Sequence, residues 1–229
     1  MLWHKGWLET RFRLLFALGF SALILISAYS SGGKAHFSVK TAVAIVPLLV
    51  ATLSAMLAGA GIVTQPAIQA TKGVHGSMMF TLSMPVSRFR LLAVRAGIGW
   101  LETVGGAVAF CCGMWTLFPV VRATTTAAEM FEYAVVLIAC TSGLYLISVL
   151  LATFLDDIWR VYGTVITFGA LWWLSSHAPL PASLNIFRAM GEGSPLITHT
   201  MPWAAMAFSL GLAALLFLAA LKVVRSREY

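Results

Sequence analysis

Glu102 and Arg95 are the only charged residues within the long apolar runs of this 229-residue chain. A charged side chain is costly in hydrocarbon, so we expect both to face other helices or water. Their spacing of seven residues puts them on one stripe of a helix but about 10 Å apart along its axis, too far for direct contact unless the long side chains bend toward each other. Two interpretations of Glu102 are open: it takes part in a substrate path or gate, or it is a polar group that holds helices together. We favour the second.

Other patterns that carry chemistry are missing from the sequence. There is no Gly-x-x-x-x-Gly-Lys-(Ser/Thr) loop for nucleotide phosphates, no His-Glu-x-x-His zinc motif and no Gly-x-Ser-x-Gly nucleophile turn. His177 and His199 share a polar segment, but two histidines without further ligands do not predict a metal site. We therefore predict no catalytic, cofactor-binding or metal-binding residues, and no enzyme activity of the chain by itself.

The composition indicates a membrane environment. Hydrophobic residues make up 60% of the chain and charged residues 10%, whereas soluble domains carry about 25% charged residues. A chain of this length cannot bury so much apolar surface in a water-soluble fold, so membrane lipid is its expected partner. The net charge of +7 does not predict a nucleic-acid partner, because the basic residues are spread between apolar runs. The three cysteines lie in apolar runs and are expected to be buried: Cys111, Cys112 and Cys140.

Six apolar segments are long enough to cross a bilayer, which takes about 20 residues. They predict an all-α integral membrane protein, a single transmembrane domain over residues 1–229, with helices at 14–30, 41–64, 91–118, 133–155, 161–176 and 203–221. Residues 1–13 are amphipathic and are expected to form a helix in the headgroup plane. Small residues at four-residue steps allow close helix packing, within the subunit or across a dimer, on two spans: at Ala51, Ala55 and Gly59 and at Gly105, Ala109 and Gly113.

The basic residues assign an orientation to these spans. With the N-terminus inside, eleven Lys and Arg residues lie on the cytoplasmic side and four lie outside, as the positive-inside rule requires. Tryptophans group at both predicted interfaces, whereas Trp100 lies deeper and belongs to neither group. We therefore predict a multi-pass protein with both termini in the cytoplasm.

The cytoplasmic loop 66–90, between the second and third spans, is rich in local signals. Gly73 and Gly76 end one helix, and a short segment then runs to Ser83 before Pro85 stops it. Ser87 is expected to cap the next helix. The short segment is rich in methionine and other apolar residues: Met78, Met79, Phe80 and Leu82. Methionine suits a surface that repacks on a partner. Docking on a partner protein and resting in lipid as an interfacial helix are equally open interpretations.

The stretch GSMMFTLSMPVSR, from Gly76 to Arg88 and followed by Leu91 and Leu92, resembles the cytoplasmic loop of ABC type-2 permeases. These are the transmembrane subunits of bacterial exporters with the type V exporter-like fold. The resemblance implies a coupling helix that contacts an ATPase, and the implied coupling residues are Gly76, Ser77, Met78, Met79, Phe80, Thr81, Leu82, Ser83, Pro85 and Arg88.

The resemblance also implies partners and a location. A separate ABC ATPase subunit would bind ATP and Mg, so no cofactor is expected in this chain, and a second permease subunit, the same or related, would complete the core. The expected location is the bacterial cytoplasmic (inner) membrane. Short outer helices are implied in the outer loop 177–202, where Ser183 is expected to cap a helix that ends at Gly191.

Two other classes of function remain open at the level of sequence. One is an intramembrane enzyme that uses Glu102, which is disfavoured because no second carboxylate or histidine lies at matching depth. The other is a membrane scaffold or assembly factor that transports nothing. Copurification of an ATPase distinguishes a permease subunit from both.

Overall fold

A computed structural model describes residues 87–155, 157–177 and 181–226, together with seven single positions between 15 and 43. All elements with described bounds are helical: α1 (Arg88–Leu117), α2 (Pro119–Thr124), α3 (Ala127–Ala152), α4 (Asp157–His177), a 3-10 turn (Ala182–Leu184), α5 (Ile186–Met190), α6 (Pro195–Thr198) and α7 (Trp203–Ser226). The all-α prediction is confirmed for this part of the chain. Apart from the single positions, the predicted lead-in, the first two spans and the coupling loop up to residue 86 lie outside the described residues.

The N-terminus of α1 lies where the sequence predicts it. The Ser87 side chain accepts a hydrogen bond from the backbone N–H of Arg90 at 3.3 Å, so Ser87 is the N-cap, as expected. The helix runs for 30 residues from Arg88. It ends before Phe118, and Pro119 opens the six-residue helix α2, because proline is well tolerated in the first turn of a helix.

The predicted bounds 133–155 for the fourth span are wrong at both ends. Helix α3 begins at Ala127 because Thr126 and Glu129 form a capping box, in which each side chain binds the backbone N–H of the other residue. The predicted start followed the loss of charge along the sequence, whereas the helix starts at its polar cap. At the other end, α3 stops at Ala152 and the chain turns at Thr153 and Phe154.

Helices α4 and α7 both extend beyond the apolar runs that predict them. Helix α4 begins at Asp157, four residues before the predicted start at Val161. Helix α7 starts at Trp203 as predicted but continues past Leu221 to Ser226. Lysine and arginine in that last turn are good helix formers, so the helix continues after its apolar stretch ends.

Three of the described helices are long and apolar enough to cross a membrane: Leu92–Leu117 within α1, α3, and α7. This establishes the character of a membrane protein. Helix α4 has 21 residues but is not among the three.

Helix α3 is the centre of the described bundle. Its most extensive helix contact is with α7, followed by contacts with α1 and α4. In its membrane-length window 72% of the residues are buried, against 28% in α7. Two tyrosines of α3, Tyr133 and Tyr145, have no exposed surface. A helix buried on nearly all sides needs neighbours on all sides, so α3 is the element around which the others pack.

The connecting segment 181–202 covers the end of the bundle where α3 and α7 begin. Asn185, not Ser183, caps the short helix α5 by accepting a hydrogen bond from the backbone N–H of Arg188 at 3.1 Å. Ser183 lies inside the 3-10 turn, so its predicted capping role is wrong, whereas the end of α5 at Gly191 is confirmed. The buried hydroxyl of Tyr133 donates to the carbonyl of Met190 at 3.0 Å, which fixes α5 on α3.

The three cysteines all lie in apolar runs, but they are not all buried. Cys111 and Cys140 are buried, but Cys112 is exposed. Successive residues of an α-helix point about 100° apart, so Cys111 and Cys112 cannot both face the same core. The prediction that all three are buried is wrong for Cys112.

Candidate functional site: a polar seam between the helices

The predicted coupling residues lie almost entirely outside the described part of the chain. Gly76 to Ser83 and Pro85 belong to that undescribed segment. Arg88 is the first residue of α1. The two predicted intramembrane charges are both on α1: Arg95 is half-buried, and Glu102 is 4% exposed. Glu102 is therefore buried among the described helices, one of the two environments expected for it.

Glu102 is one of the polar side chains on the central helices, a set that we call the polar seam: Trp100, Glu102, Ser142, Tyr145 and Ser209. The Glu102 and Tyr145 side chains are both buried, at 4% and 0% exposed. A buried carboxyl group in an apolar bundle is costly unless polar neighbours surround it.

Two hydrogen bonds cross from α1 to α3. The indole N–H of Trp100 donates to the Ser142 hydroxyl oxygen at 2.9 Å, and the Tyr145 hydroxyl donates to the carbonyl of Ala96 at 2.9 Å. Both α1 groups lie within about one helical turn of each other, as do both α3 groups. Two bonds that run in opposite directions fix the two helices against sliding and rotation.

The depth of Trp100 now has a structural explanation. Its indole N–H needs a hydrogen-bond partner when it is away from water, and Ser142 supplies one. Ser142 in turn donates to the carbonyl of Ile138 within its own helix at 2.7 Å. Trp100 therefore anchors one helix to another and does not belong to an interfacial belt.

A second crossing joins α3 to α7 through Ser209. The Ser209 hydroxyl donates to the carbonyl of Cys140 at 2.9 Å and accepts from the backbone N–H of Gly143 at 3.2 Å. A Cβ atom at Gly143 would lie 2.6 Å from the Ser209 oxygen, so the close approach of the two helices requires glycine. Such small-residue contacts with a hydroxyl across them are typical of helix pairs in membranes.

The hydrogen bonds of the seam position the helices against one another. Its hydroxyl and indole groups are each held by a neighbouring backbone or side-chain group. Glu102 is its one carboxyl group, and among the described residues no group of three or more His, Cys, Asp and Glu side chains could hold a metal ion. The hydrogen bonds of the seam link α1 to α3 and α3 to α7.

His177 and His199 have separate partners in the structure. His199 Nδ1 contacts a carboxylate oxygen of Glu129 at 2.8 Å. His177 stacks on Trp173, with 4.7 Å between the ring centroids. The tryptophans at this end, Trp172, Trp173 and Trp203, are all more than half exposed, as expected for side chains that reach the membrane interface.

Sequence reasoning found Glu102 but missed its neighbours. Serine and tyrosine within an apolar run carry no signal of which helix they face. The one clue was Trp100, an indole too deep for either interface, which needed a partner on another helix.

Comparison of the chain with family models, curated proteins and solved structures finds no match.

Proposed function

We propose that this chain is the membrane-spanning permease subunit of an ATP-binding-cassette exporter in a bacterial cytoplasmic membrane. A separate ATPase subunit hydrolyses ATP with Mg, and two permease subunits, the same or related, form the transport core. The observation that carries the proposal is the stretch from Gly76 to Arg88, whose resemblance to a permease coupling loop ends at the N-cap of a membrane-length helix.

The position of that helix start supports a mechanical role for the loop. Pro85 and Ser87 separate the short Met-rich segment from α1 by only a few residues. A force applied to the segment would therefore act directly on the N-terminus of α1, with little slack chain between them. A stiff helix transmits such a displacement along its axis.

The polar seam supports the next step of transmission. Helix α1 is bonded to α3 through Trp100 and Tyr145, and α3 is bonded to α7 through Ser209. A movement of α1 must either carry α3 and α7 with it or break these bonds. In this mechanism the seam couples the loop on one side of the membrane to the helix ends on the other, and Glu102 is one of its polar contacts.

Copurification with an ATPase tests the proposal. We expect the tagged full-length chain, extracted in mild detergent, to bring down an ATPase subunit, and native mass spectrometry to give two permease and two ATPase subunits. Phe80→Ala and Leu82→Ala each remove one apolar anchor, worth about 1.5–3 kcal/mol if fully buried. Each should weaken ATPase association about tenfold or more.

Leu25→Ala, in the first predicted span, is the control for these loop variants, because it removes the same kind of side chain away from the loop. It should copurify the ATPase as the parent does. If no ATPase is recovered with the parent chain, or if both loop variants bind like the parent, the permease assignment fails. The scaffold and intramembrane-enzyme alternatives then take its place.

A further inference from the structure

A cavity of about 310 Å³ lies beside the start of α7, and its wall contains a single charged residue, Arg188. The 3-10 turn, helix α5 and the first turn of α7 build this wall, with Ser183, Ala189, Met201, Trp203 and Ala204 among its members. The wall is thus mostly apolar, with one cation, one serine hydroxyl and one indole. None of the polar seam residues contributes to it.

Arg188 is held in place through its backbone. Its N–H donates to Asn185 at 3.1 Å, and its carbonyl accepts from the N–H groups of Gly191 at 3.1 Å and Gly193 at 2.8 Å. A Cβ atom at Gly193 would lie 3.1 Å from that carbonyl oxygen and 3.6 Å from Cγ of Arg188. The close turn therefore brings Arg188 to the cavity in a fixed position.

The positive charge of Arg188 is not neutralised within the described chain. Within the described part of the chain, His199 pairs with Glu129. No carboxylate in that part lies within salt-bridge distance of the Arg188 guanidinium group. Arginine presents a planar fork of N–H donors that matches phosphate oxygens two at a time. An exposed, uncompensated arginine at a cavity wall is suited to an anionic group.

The surroundings place this cation at the depth of lipid headgroups. Trp203, the first residue of the membrane-length helix α7, is 68% exposed at the cavity rim. Trp172 and Trp173 are exposed at the same end of the bundle, where the Asn185 side chain also donates to the carbonyl of Ser175 at 3.0 Å. Exposed tryptophans at helix ends mark the membrane–water interface.

We infer that this cavity binds the phosphate headgroup of an anionic phospholipid, with Arg188 on the phosphate and the apolar wall against the first part of the acyl chains. The volume lies at the lower end of the range for ligand pockets, about 300–1,000 Å³. It suits a headgroup and the adjoining carbons and not a whole lipid. The inference does not depend on the proposed transport function.

Native mass spectrometry of the purified full-length chain, titrated with phosphatidylglycerol or phosphatidylcholine, tests the site. The parent should retain phosphatidylglycerol in preference to phosphatidylcholine. Arg188→Gln should weaken phosphatidylglycerol binding about tenfold, the usual effect of losing a hydrogen bond to a charged group. Ala204→Phe keeps the charge but fills the cavity from an exposed position, and should weaken binding as well.

Arg122→Gln is the matched control, since Arg122 is an exposed arginine on α2 that does not line the cavity. It should bind phosphatidylglycerol like the parent. Equal loss in Arg122→Gln and Arg188→Gln would overturn the inference, because binding would then follow overall charge. Unchanged binding in Arg188→Gln would also overturn it. Glycerol phosphate that binds as tightly as phosphatidylglycerol would assign the cavity to a soluble anion and refute a lipid site.

Discussion

Glu129 and His199 are 70 residues apart in the chain, yet their side chains meet at 2.8 Å. The same carboxylate accepts hydrogen bonds from the backbone N–H of Thr126 at 2.7 Å and from its hydroxyl at 3.0 Å. One side chain therefore caps α3 and also holds the segment that leads into α7. His199 has a left-handed backbone, with φ of 52°, which is uncommon for a residue with a side chain. The contact with Glu129, on another helix, holds the backbone turn at His199 in place.

This double role predicts an order of stabilities among three variants. Thr126→Ala removes the hydroxyl half of the capping box and should cost about 1 kcal/mol, and His199→Ala removes the contact between segments alone. Glu129→Ala removes the carboxylate contacts with the Thr126 N–H and hydroxyl as well as the contact with His199, so its melting temperature in detergent should be the lowest of the three. Glu132→Ala, an exposed acid one turn further along α3, is the control and should melt like the parent. If Glu129→Ala melts with the Glu132 variant, the double role is wrong.

Local signals in the sequence predict the start of α1. They do not predict which side chains pair between helices, because those pairs depend on tertiary contacts. Ser87 is a cap that follows a proline, and both signals act within a few residues. The predicted start of α3 is too late because it follows the uncharged apolar run, which excludes Glu129. In the structure the Glu129 carboxylate is part of the helix cap. The bond from Trp100 to Ser142 joins residues 42 apart. Such a pairing depends on how two helices rotate against each other, which no local pattern encodes.

Two glycines predict opposite responses to the same substitution. A Cβ atom at Gly143 would meet the Ser209 oxygen at 2.6 Å, so Gly143→Ala should force α3 and α7 apart and cost about 1–3 kcal/mol. A Cβ atom at Gly105 has nothing within 4 Å. Gly105→Ala should therefore be neutral or add up to about 1 kcal/mol, because alanine is the better helix former.

Thermal unfolding of the two glycine variants in the same detergent measures this difference. Combining Gly143→Ala with Ser209→Ala removes the oxygen that causes the closest clash and should recover part of the loss. The Ser209 backbone carbonyl, 3.0 Å from the added carbon, limits the recovery. Equal stability of Gly143→Ala and Gly105→Ala would mean that α3 and α7 do not approach as closely as described.

The distribution of basic residues predicts the positions of the chain ends. Eleven of the fifteen Lys and Arg residues fall on the cytoplasmic side when both termini are placed there. An alkaline phosphatase fusion after Tyr229 should be inactive and one within residues 31–40 active, with a green fluorescent protein fusion after Tyr229 fluorescent as the reciprocal control. Active phosphatase after Tyr229 would place the C-terminus outside the cytoplasm and contradict the predicted topology.

The two bonds between α1 and α3 predict a separation between stability and coupling. A hydrogen bond between helices in a membrane contributes about 0.6 kcal/mol on average and up to about 1.7 kcal/mol. Ser142→Ala and Tyr145→Phe each remove one partner and keep most of the volume of the side chain. Each single variant should therefore stay folded, with a small loss of thermal stability. The double variant loses both crossings, so α1 should move with less resistance from α3.

If the chain is a permease subunit, the double variant should still bind its ATPase, because the coupling loop is unchanged. It should, however, lose most of the stimulation of ATP hydrolysis by substrate, since motion of α1 no longer carries α3. Thr116→Ala is the control: its hydroxyl bonds only within α1, to the carbonyl of Cys112 at 2.8 Å and more weakly to that of Gly113, so it removes a hydroxyl without touching the seam. Full stimulation in the Ser142→Ala, Tyr145→Phe double variant would show that the seam holds the bundle together but does not transmit the movement of α1. Loss of ATPase binding in the same variant would instead mean that the seam positions the loop, and the proposed direction of transmission would be wrong.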